Sequence, residues 1–240
     1  MSEIDKTKDA AVPVSFNDTA VAFQNKSDRE LWLSYLIFVL TKNPFLVKFL
    51  SQAAKWTLAM GLPVKPLIKA TVFKQFCGGE RKNEYAQVIS KLGASDIGTI
   101  LDYSVEGTED EAGFEDTKKE LLRIVKQSKS NPNIPCTCMK MTAIGSFDLF
   151  KKVTAKEPLS LDEEREWIKV KSRLEEICQA SYQADKPIYI DAEESWIQTA
   201  IDELAEEVMA KYNRKKAIIF TTLQLYRCLL YTSPSPRDLN

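Results

Sequence analysis

Pro187-Ile188-Tyr189-Ile190-Asp191 is a short, mostly apolar run that is followed closely by an amphipathic segment over 194–212. A second run of the same kind, Ala217-Ile218-Ile219-Phe220-Thr221-Thr222, comes after that segment. Short runs rich in β-branched and aromatic residues, with no alternation of polarity, are typical of strands in a parallel sheet covered by helices. The stretch 187–222 therefore predicts a strand, a helix and a second parallel strand.

The same alternation begins near residue 99. Two earlier strands are predicted over 99–104 and 137–142, and the remaining helices are predicted over 114–130, 146–153 and 160–181. Four strand–helix units fit either half of a TIM barrel or the start of an open doubly wound sheet. The turn after the first strand, 102–107, lacks the glycine cluster that a dinucleotide-binding sheet needs, so the barrel is favoured.

The chain before the first strand reads as helical. Residues 1–26 predict an extended or disordered leader, and Ser27 with Glu30 predicts a capping box at a helix start. The predicted helices cover 28–41, 44–60, 65–75 and 80–92. The fold class is thus α/β, with a helical region over 27–95 followed by an incomplete (βα)8 barrel of about four units over 96–227.

Composition excludes several kinds of chemistry. The 33 basic and 34 acidic residues nearly cancel, which argues against a nucleic-acid partner. There is no histidine, so His-based nucleophile activation is absent, and the five cysteines lack zinc-site spacing. We expect no metal and reduced thiols, and a cytoplasmic chain, with peripheral attachment at the inner membrane face left open.

Reactive groups of a barrel lie at the carboxyl ends of its strands. Four polar residues end these runs: Asp102, Lys140, Asp191 and, just beyond its strand, Gln224. A cation, carboxylates and an amide around one cavity suit a small zwitterion or a polar ring. Structural alternatives stay open, since a lysine can extend its head group to solvent and a carboxylate can cap a helix.

Two acids after the third strand have a second reading as well. Glu193 and Glu194 directly follow Asp191 and precede the amphipathic segment. Acidic residues in the first turn of a helix are favoured by the helix dipole. On the residues alone, Glu193 and Glu194 fit either a helix start or a site.

Five motifs follow one another along the chain: Phe76-Cys77-Gly78-Gly79-Glu80, Ile100-Leu101-Asp102-Tyr103-Ser104-Val105-Glu106-Gly107, Met139-Lys140-Met141-Thr142-Ala143, Ile190-Asp191-Ala192-Glu193-Glu194-Ser195-Trp196-Ile197-Gln198 and Thr222-Leu223-Gln224-Leu225-Tyr226. Their order is that of a known family, and the chain resembles the N-terminal part of the stand-alone proline dehydrogenases. The resemblance covers nearly the whole chain.

The resemblance implies a distorted (βα)8 barrel that binds FAD and L-proline at its mouth. It implies that Lys140 binds the proline carboxylate and that Asp191 belongs to the polar network of that site, which makes the two the candidate catalytic residues. It also implies that Gln224 and Thr222 contact FAD. Asp102, Glu106 and Glu193 are implied as supporting residues.

The reaction implied by the family is the oxidation of L-proline to Δ1-pyrroline-5-carboxylate. Hydride passes from proline C5 to flavin N5, and a quinone at the membrane surface reoxidises the flavin. Because the flavin supplies the redox chemistry, a chain without histidine can be an enzyme.

The resemblance ends at Arg227. Residues 228–240 look like nothing in the family, and we expect them to be an artefact joined to a truncated reading frame. The later strands of the family barrel are then missing, so we expect this chain by itself to be inactive.

Two other functions stay open. The first is a different barrel enzyme that forms a Schiff base on Lys140. The second is a non-enzymatic helical module that docks a partner or a membrane through the apolar run 31–40, which is too short to cross a bilayer.

Overall fold

A computed structural model describes residues 15, 17–79, 82–103 and 110–224. The chain divides into two compact units, Met1–Val88 and Ile89–Asn240. Glu106, most of the predicted leader and the predicted tail 228–240 lie outside the described residues.

The first unit is helical, and the helices predicted from Ser27 onwards are present. Within the range predicted as an extended or disordered leader, 1–26, the structure has a short helix over Thr19–Phe23. Ser27 caps the second helix through a capping box, in which its hydroxyl accepts from the Glu30 amide and the Glu30 carboxylate accepts from the Ser27 amide at 3.0 Å. The helices are α1 (Thr19–Phe23), α2 (Asp28–Thr41), α3 (Pro44–Ala59), α4 (Lys65–Ile68), a π-helical turn (Lys69–Phe73), α5 (Lys74–Phe76) and α6 (Lys82–Gly93), the last of which runs on into the second unit.

Large apolar side chains are exposed along α2 and α3. Trp32 and Tyr35 are each 67% exposed on α2, and Phe45 is 79% and Trp56 65% exposed on α3. No described helix is by itself long and apolar enough to cross a membrane, although α2 and α3, joined at a bend of 105°, have the length and composition together.

The second unit contains a four-stranded parallel sheet. Its strands are β1 (Leu101–Asp102), β2 (Thr137–Met139), β3 (Ile188–Ile190) and β4 (Ile219–Thr221), and they lie side by side in the order of the sequence. The helices between and after them are α7 (Glu111–Lys129), a 3₁₀ turn (Met141–Ala143), α8 (Phe147–Ala155), α9 (Leu161–Ala184) and α10 (Gln198–Tyr212).

The strand order decides between the two sheet types left open by the sequence. In a doubly wound sheet the order reverses at a switch point, whereas in a barrel each strand pairs with the next along the chain. The observed order β1-β2-β3-β4 is the barrel type. Successive crossovers of one hand place their helices on one face of the sheet, which is the outer layer of a barrel.

The core of the second unit lies between the helices and the face of the sheet that they cover. Met139, Ile188, Ile190 and Ile219 are fully buried and belong to one apolar cluster with residues of α8, α9 and α10. The alternate strand residues Cys138, Tyr189 and Phe220 are half-buried on the opposite face. There the Tyr189 and Phe220 rings stack with centroids 5.0 Å apart.

A buried arginine joins α9 and α7 to the segment that follows β2. Arg173 of α9 is 1% exposed, and its guanidinium donates to Glu115 at 2.8 Å and to Glu111 at 2.5 Å on α7. A third donation, of 3.0 Å, reaches the carbonyl oxygen of Ile144. The buried guanidinium is therefore paired with two carboxylates, and it also supplies the hydrogen-bond donor for the Ile144 carbonyl, which lies outside the sheet.

The predicted start of the last helix is wrong. The sequence places it at residue 194, but α10 begins at Gln198, and residues 195–197 form a turn in which the Ile197 amide donates to the Glu194 carbonyl. The six residues after Asp191 are thus neither strand nor helix. Consequently Asp191 does not cap α10, and Glu193 and Glu194 are not its first-turn acids.

Candidate active site

Lys140, Asp191 and Thr222 lie side by side at the carboxyl edge of the sheet. Met139 pairs with Ile190, and Ile190 pairs with Thr221. Beyond those pairs, the Asp191 amide donates to Met139 O at 2.9 Å and the Thr222 amide donates to Ile190 O at 3.2 Å. The register therefore continues one residue past the strands and brings three chain segments together.

The same three residues lie on one face of the sheet, and Asp102 of β1 is level with a residue of that face. Side chains alternate along a strand, so Lys140, Asp191 and Thr222 follow Cys138, Tyr189 and Phe220 on the face opposite the helices. Asp102 is in register with Cys138. Burial first, and then the nearby charges of Asp191 and Asp102, raise the pKa of the Cys138 thiol to about 11.

Asp191 is fixed by the neighbouring strand end. Its Oδ1 accepts a hydrogen bond from the Thr222 hydroxyl at 2.9 Å. The same hydroxyl oxygen accepts from the Ala192 amide at 2.6 Å. Thr222, predicted only as a cofactor contact, therefore first joins β3 to β4 and orients a carboxylate.

Lys140 is half-buried, and among the described residues its ammonium makes no ion pair or hydrogen bond. Most half-buried lysines in the second unit do have a partner. Lys118, for example, forms ion pairs with Glu115 at 2.9 Å and with Glu176 at 3.0 Å. Because desolvating an ammonium costs free energy unless it is paired, a cation at a strand end is suited to a negatively charged ligand.

The remaining predicted residues differ in how far the structure places them. Gln224 is half-buried just past β4 and Asp102 is exposed at the end of β1, and both have interaction partners. Glu106 lies outside the described residues.

Glu193 contacts the loop that carries Lys140. Its Oε1 accepts from the Thr142 amide at 3.1 Å and its Oε2 from the Thr142 hydroxyl. Burial raises the pKa of this carboxyl, although the hydrogen bonds from Thr142 oppose the rise. The Glu193 amide donates to Gln198 Oε1 at 2.7 Å, and Gln198 is 1% exposed.

Two residues of this network were missed at the level of the sequence. Thr142 and Gln198 both lie inside motifs that identify the family resemblance, but their partners are 51 and five residues away. A polar residue in the first turn of a helix was the available signal for Gln198. No local signal points to Thr142.

The chemistry of the strand ends fits FAD and a small zwitterion. A flavin ring needs a partly apolar surface and hydrogen-bonding groups at its edge. The stacked Tyr189 and Phe220 rings lie on β3 and β4, and Thr222 and Gln224 follow Phe220 along the chain.

A groove of about 410 Å³ lies between α9 and α10 in the outer helix layer, where it is lined by residues such as Lys171 and Glu207. It is not at the strand ends.

The described residues contain no group of three or more Cys, Asp or Glu side chains that could hold a metal ion. A hydride-transfer site of the kind implied by the sequence needs none.

A protein-family model matches most of the second unit. The family model described as "Proline dehydrogenase" matches residues 85–231, which is more than half of the chain. The match includes all four strands and the described candidate residues at their ends, which are Asp102, Lys140, Asp191, Thr222 and Gln224. It ends at residue 231 rather than at the predicted limit of Arg227.

Several known proteins are similar in sequence. "Proline dehydrogenase 1, mitochondrial" of Dictyostelium discoideum is 28% identical over 250 residues, covering 87% of this chain and 43% of the relative. "Carbapenem antibiotics biosynthesis protein CarD" of Pectobacterium carotovorum subsp. carotovorum is 31% identical over 153 residues, covering 63% and 40%. The chain thus spans about two fifths of the length of these relatives.

Among solved structures with a similar fold is a proline utilization protein. Proline utilization A (PutA) from Bdellovibrio bacteriovorus, inactivated by N-propargylglycine, superposes with a TM-score of 0.51 at 18% identity. The superposition covers 64% of this chain and 17% of that protein. At this identity the likeness supports the fold alone, and it agrees with the barrel-type order of the strands.

Proposed function

Because the chain belongs to the proline dehydrogenase family, we propose that it carries part of the active site of an FAD-dependent enzyme that oxidises L-proline to Δ1-pyrroline-5-carboxylate. The observation that supports this most is the row formed by Lys140, Asp191 and Thr222 at one edge of the sheet. The row joins a cation and an oriented carboxylate within the region that the family model matches.

Lys140 and Asp191 are the proposed substrate residues. L-Proline carries a carboxylate and a secondary ammonium a few ångströms apart, so a neighbouring cation and anion complement it. The Lys140 ammonium pairs with the proline carboxylate, which holds the ring in one orientation. Asp191, held by Thr222, supplies the negative charge of the same polar network.

Gln224 and Thr222 are the proposed flavin contacts. FAD, when bound, supplies the hydride acceptor for proline C5. The Gln224 amide offers a donor and an acceptor to the edge of a polar ring, and the Thr222 hydroxyl retains one lone pair after its bonds to Asp191 and Ala192. Asp102 and Glu106 are proposed to position the first strand end.

A quinone at a membrane surface is the proposed electron acceptor. A cytoplasmic chain with peripheral attachment to the inner membrane face stays a prediction, whereas the relatives from Dictyostelium discoideum and Arabidopsis thaliana are named mitochondrial.

The proposed domain organisation follows the sequence boundaries. A helical region over 27–95 precedes the first half of a (βα)8 barrel over 96–227. Because the family match reaches residue 231, only residues 232–240 are proposed as a tail foreign to the family. Among the described residues β1 and β4 each have one neighbouring strand, and each leaves one edge for a further partner. We therefore expect the 240-residue chain by itself to be inactive.

The test compares the 240-residue chain with the protein that is expressed from the native gene. Both are reconstituted with FAD, and the visible absorbance is followed anaerobically as L-proline is added, with D-proline as the control. The expected result is a yellow protein from the native gene that L-proline bleaches and D-proline does not. A protein that binds no FAD, or whose FAD is not reduced, contradicts the proposal.

Lys140→Met makes the same test specific to the site. The variant is expected to keep its flavin and to need at least about tenfold more L-proline for half-maximal bleaching, since a charge-assisted hydrogen bond is lost. Lys151, an exposed lysine on α8, gives the matched control Lys151→Met. Equal behaviour of the two variants argues against substrate binding by Lys140. Borohydride trapping of a carbonyl compound on Lys140 would instead favour the Schiff-base enzyme.

A second function, docking of the helical unit on an anionic lipid surface, is favoured by the exposed aromatic residues of α2 and α3. From Leu31 to Pro63 the only charged residues are Lys42, Lys48 and Lys55. Exposed aromatic rings together with lysines and no acids are suited to the interface of an anionic bilayer.

Co-sedimentation with vesicles tests this docking. The chain is expected to bind phosphatidylserine-containing vesicles and not vesicles of phosphatidylcholine alone, and Phe45→Glu is expected to abolish binding. Gln179→Glu on an exposed position of α9 adds the same charge away from α2 and α3 and is expected to bind normally. If Phe45→Glu binds the vesicles as well as the unmodified chain does, the docking role is contradicted.

A further inference from the structure

The segment between β2 and α8, Lys140–Gly145, is held from two sides. Towards the strand ends, the Glu193 carboxylate accepts from both the amide and the hydroxyl of Thr142. Towards the helices, the Arg173 guanidinium donates to the Ile144 carbonyl at 3.0 Å. Between these points the Ala143 amide closes a 3₁₀ turn on the Lys140 carbonyl at 3.3 Å. Lys140 thus begins a short turn whose next residues are fixed.

Glu193 is itself held from several directions. Its amide donates to Gln198 Oε1, and Gln198 Nε2 donates to Asp202 Oδ1, each at 2.7 Å. Two residues earlier, Asp191 is bonded to Thr222. The backbone of Glu193 is therefore placed by these contacts, which limits the positions that its carboxylate can take near Thr142.

The contact has a geometry that few residue pairs supply. Serine and threonine carry a hydroxyl donor close to their own backbone amide, and a carboxylate has two oxygens to accept both. Bidentate bonds of this kind restrict orientation as well as distance. The neighbour Glu194 is exposed, and within the described part of the chain its side chain makes no such bond. The pairing is thus specific to Glu193 and not a general property of the acidic motif.

We propose that Glu193 and Thr142 are positioning residues that lock the turn after β2 and so hold Lys140 in the orientation in which its ammonium binds the substrate carboxylate. The proposal rests on the function proposed for Lys140. Neither residue touches the substrate; both act through the backbone of the turn that starts at Lys140.

Amide hydrogen exchange of the 240-residue chain tests the contact without any need for activity. Glu193→Met keeps the side-chain volume and removes both acceptors, so the Thr142 amide is expected to exchange at least about tenfold faster than in the unmodified chain. Glu193→Gln, which retains an acceptor, is expected to restore most of the protection. Glu194→Met is the matched control and is expected to leave the Thr142 amide unchanged. Equal exchange in all variants overturns the proposed contact.

Kinetics of the protein from the native gene test the role of that contact. Glu193→Met and Thr142→Val are expected to raise KM for L-proline about tenfold with a smaller effect on kcat, because the lost interaction orients a binding group. Thr142→Ser is expected to keep KM near that of the unmodified protein. In a Lys140→Met background the Glu193 substitution is expected to add nothing to KM.

The two possible failures are distinguishable. If the native protein does not oxidise L-proline, the proposed function fails, while the exchange data still report on the Glu193–Thr142 contact. If the protein is active and Glu193→Met raises KM equally with and without Lys140, the effect does not pass through Lys140 and the positioning role is overturned.

Discussion

The hydroxyl of Thr222, one residue past β4, donates a hydrogen bond to Oδ1 of Asp191, one residue past β3, at 2.9 Å. The two side chains meet because Ile190 and Thr221 are in register, which brings the next residues level. The Thr222 oxygen also accepts from the Ala192 amide. A single hydroxyl therefore satisfies a backbone donor and orients a carboxylate of the candidate site.

Replacing Thr222 by valine removes both bonds while preserving shape. The free energy of unfolding is expected to fall by about 1–3 kcal/mol, because the Ala192 amide loses its closest acceptor and Asp191 loses a donor. Urea denaturation of Thr222→Val measures the loss. Thr222→Ser keeps the hydroxyl and is expected to lie within about 1 kcal/mol of the unmodified chain. A Thr222→Val chain as stable as Thr222→Ser would show that the hydroxyl contributes nothing.

Arg173→Met is expected to destabilise the second unit by about 3 kcal/mol. The buried guanidinium is lost, the Ile144 carbonyl loses its donor, and Glu111 and Glu115 each lose one cationic partner while keeping Lys169 and Lys118, respectively. Because both glutamates are partly exposed, water recovers part of the loss. Chemical denaturation gives the difference.

Arg173→Lys separates charge from geometry at the same position. An ammonium cannot make the three directed bonds of the guanidinium, so stability is expected to lie between those of the unmodified chain and Arg173→Met. Full stability of Arg173→Lys would mean that charge alone suffices.

Stability is expected to depend on pH through Glu115. Hydrogen bonds from Arg173 and then Lys118 hold the pKa of this carboxyl below its usual value of 4.5. For an acid with a lowered folded pKa, the stabilisation is present above pH 4.5 and is lost as the pH falls through the folded value. Glu115→Gln is therefore expected to be less stable than the unmodified chain at pH 7, with a difference that shrinks below pH 4.5.

Urea midpoints between pH 7 and pH 3 follow this difference, provided that both chains refold reversibly across the range. A difference that stays constant, or that grows as the pH falls, contradicts the assigned direction of the shift.

Gly145 is expected to tolerate no side chain. A Cβ there would lie 2.5 Å from Val170 Cγ2 and 3.1 Å from Phe150 Cε2, and both neighbours are fully buried. Gly145→Ala is expected to cost about 1–3 kcal/mol through overpacking. Thermal unfolding detects this as a lower Tm. Gly78→Ala, where a Cβ would meet nothing within 4 Å, is the matched control, and equal Tm values for the two variants would contradict the close approach.

Much of the fold was predictable because its signals are local. The Ser27–Glu30 capping box joins residues three apart, and the apolar runs that became β2, β3 and β4 are recognisable from their own residues. The start of α10 was not predictable in this way. Asp191, Glu193 and Glu194 resemble a helix start locally, but Thr222, Thr142 and Gln198 draw the chain into a turn.

The amino-acid sequence by itself determined the alternation of strands and helices, the polar residues at the strand ends and the resemblance to the proline dehydrogenases. Only the tertiary structure decided that Asp191 meets Thr222, that Glu193 meets Thr142 and that Arg173 reaches Ile144. These partners are 31, 51 and 29 residues apart. Such contacts depend on the register of parallel strands joined by long helical crossovers, and periodicity within one segment carries no information about that register.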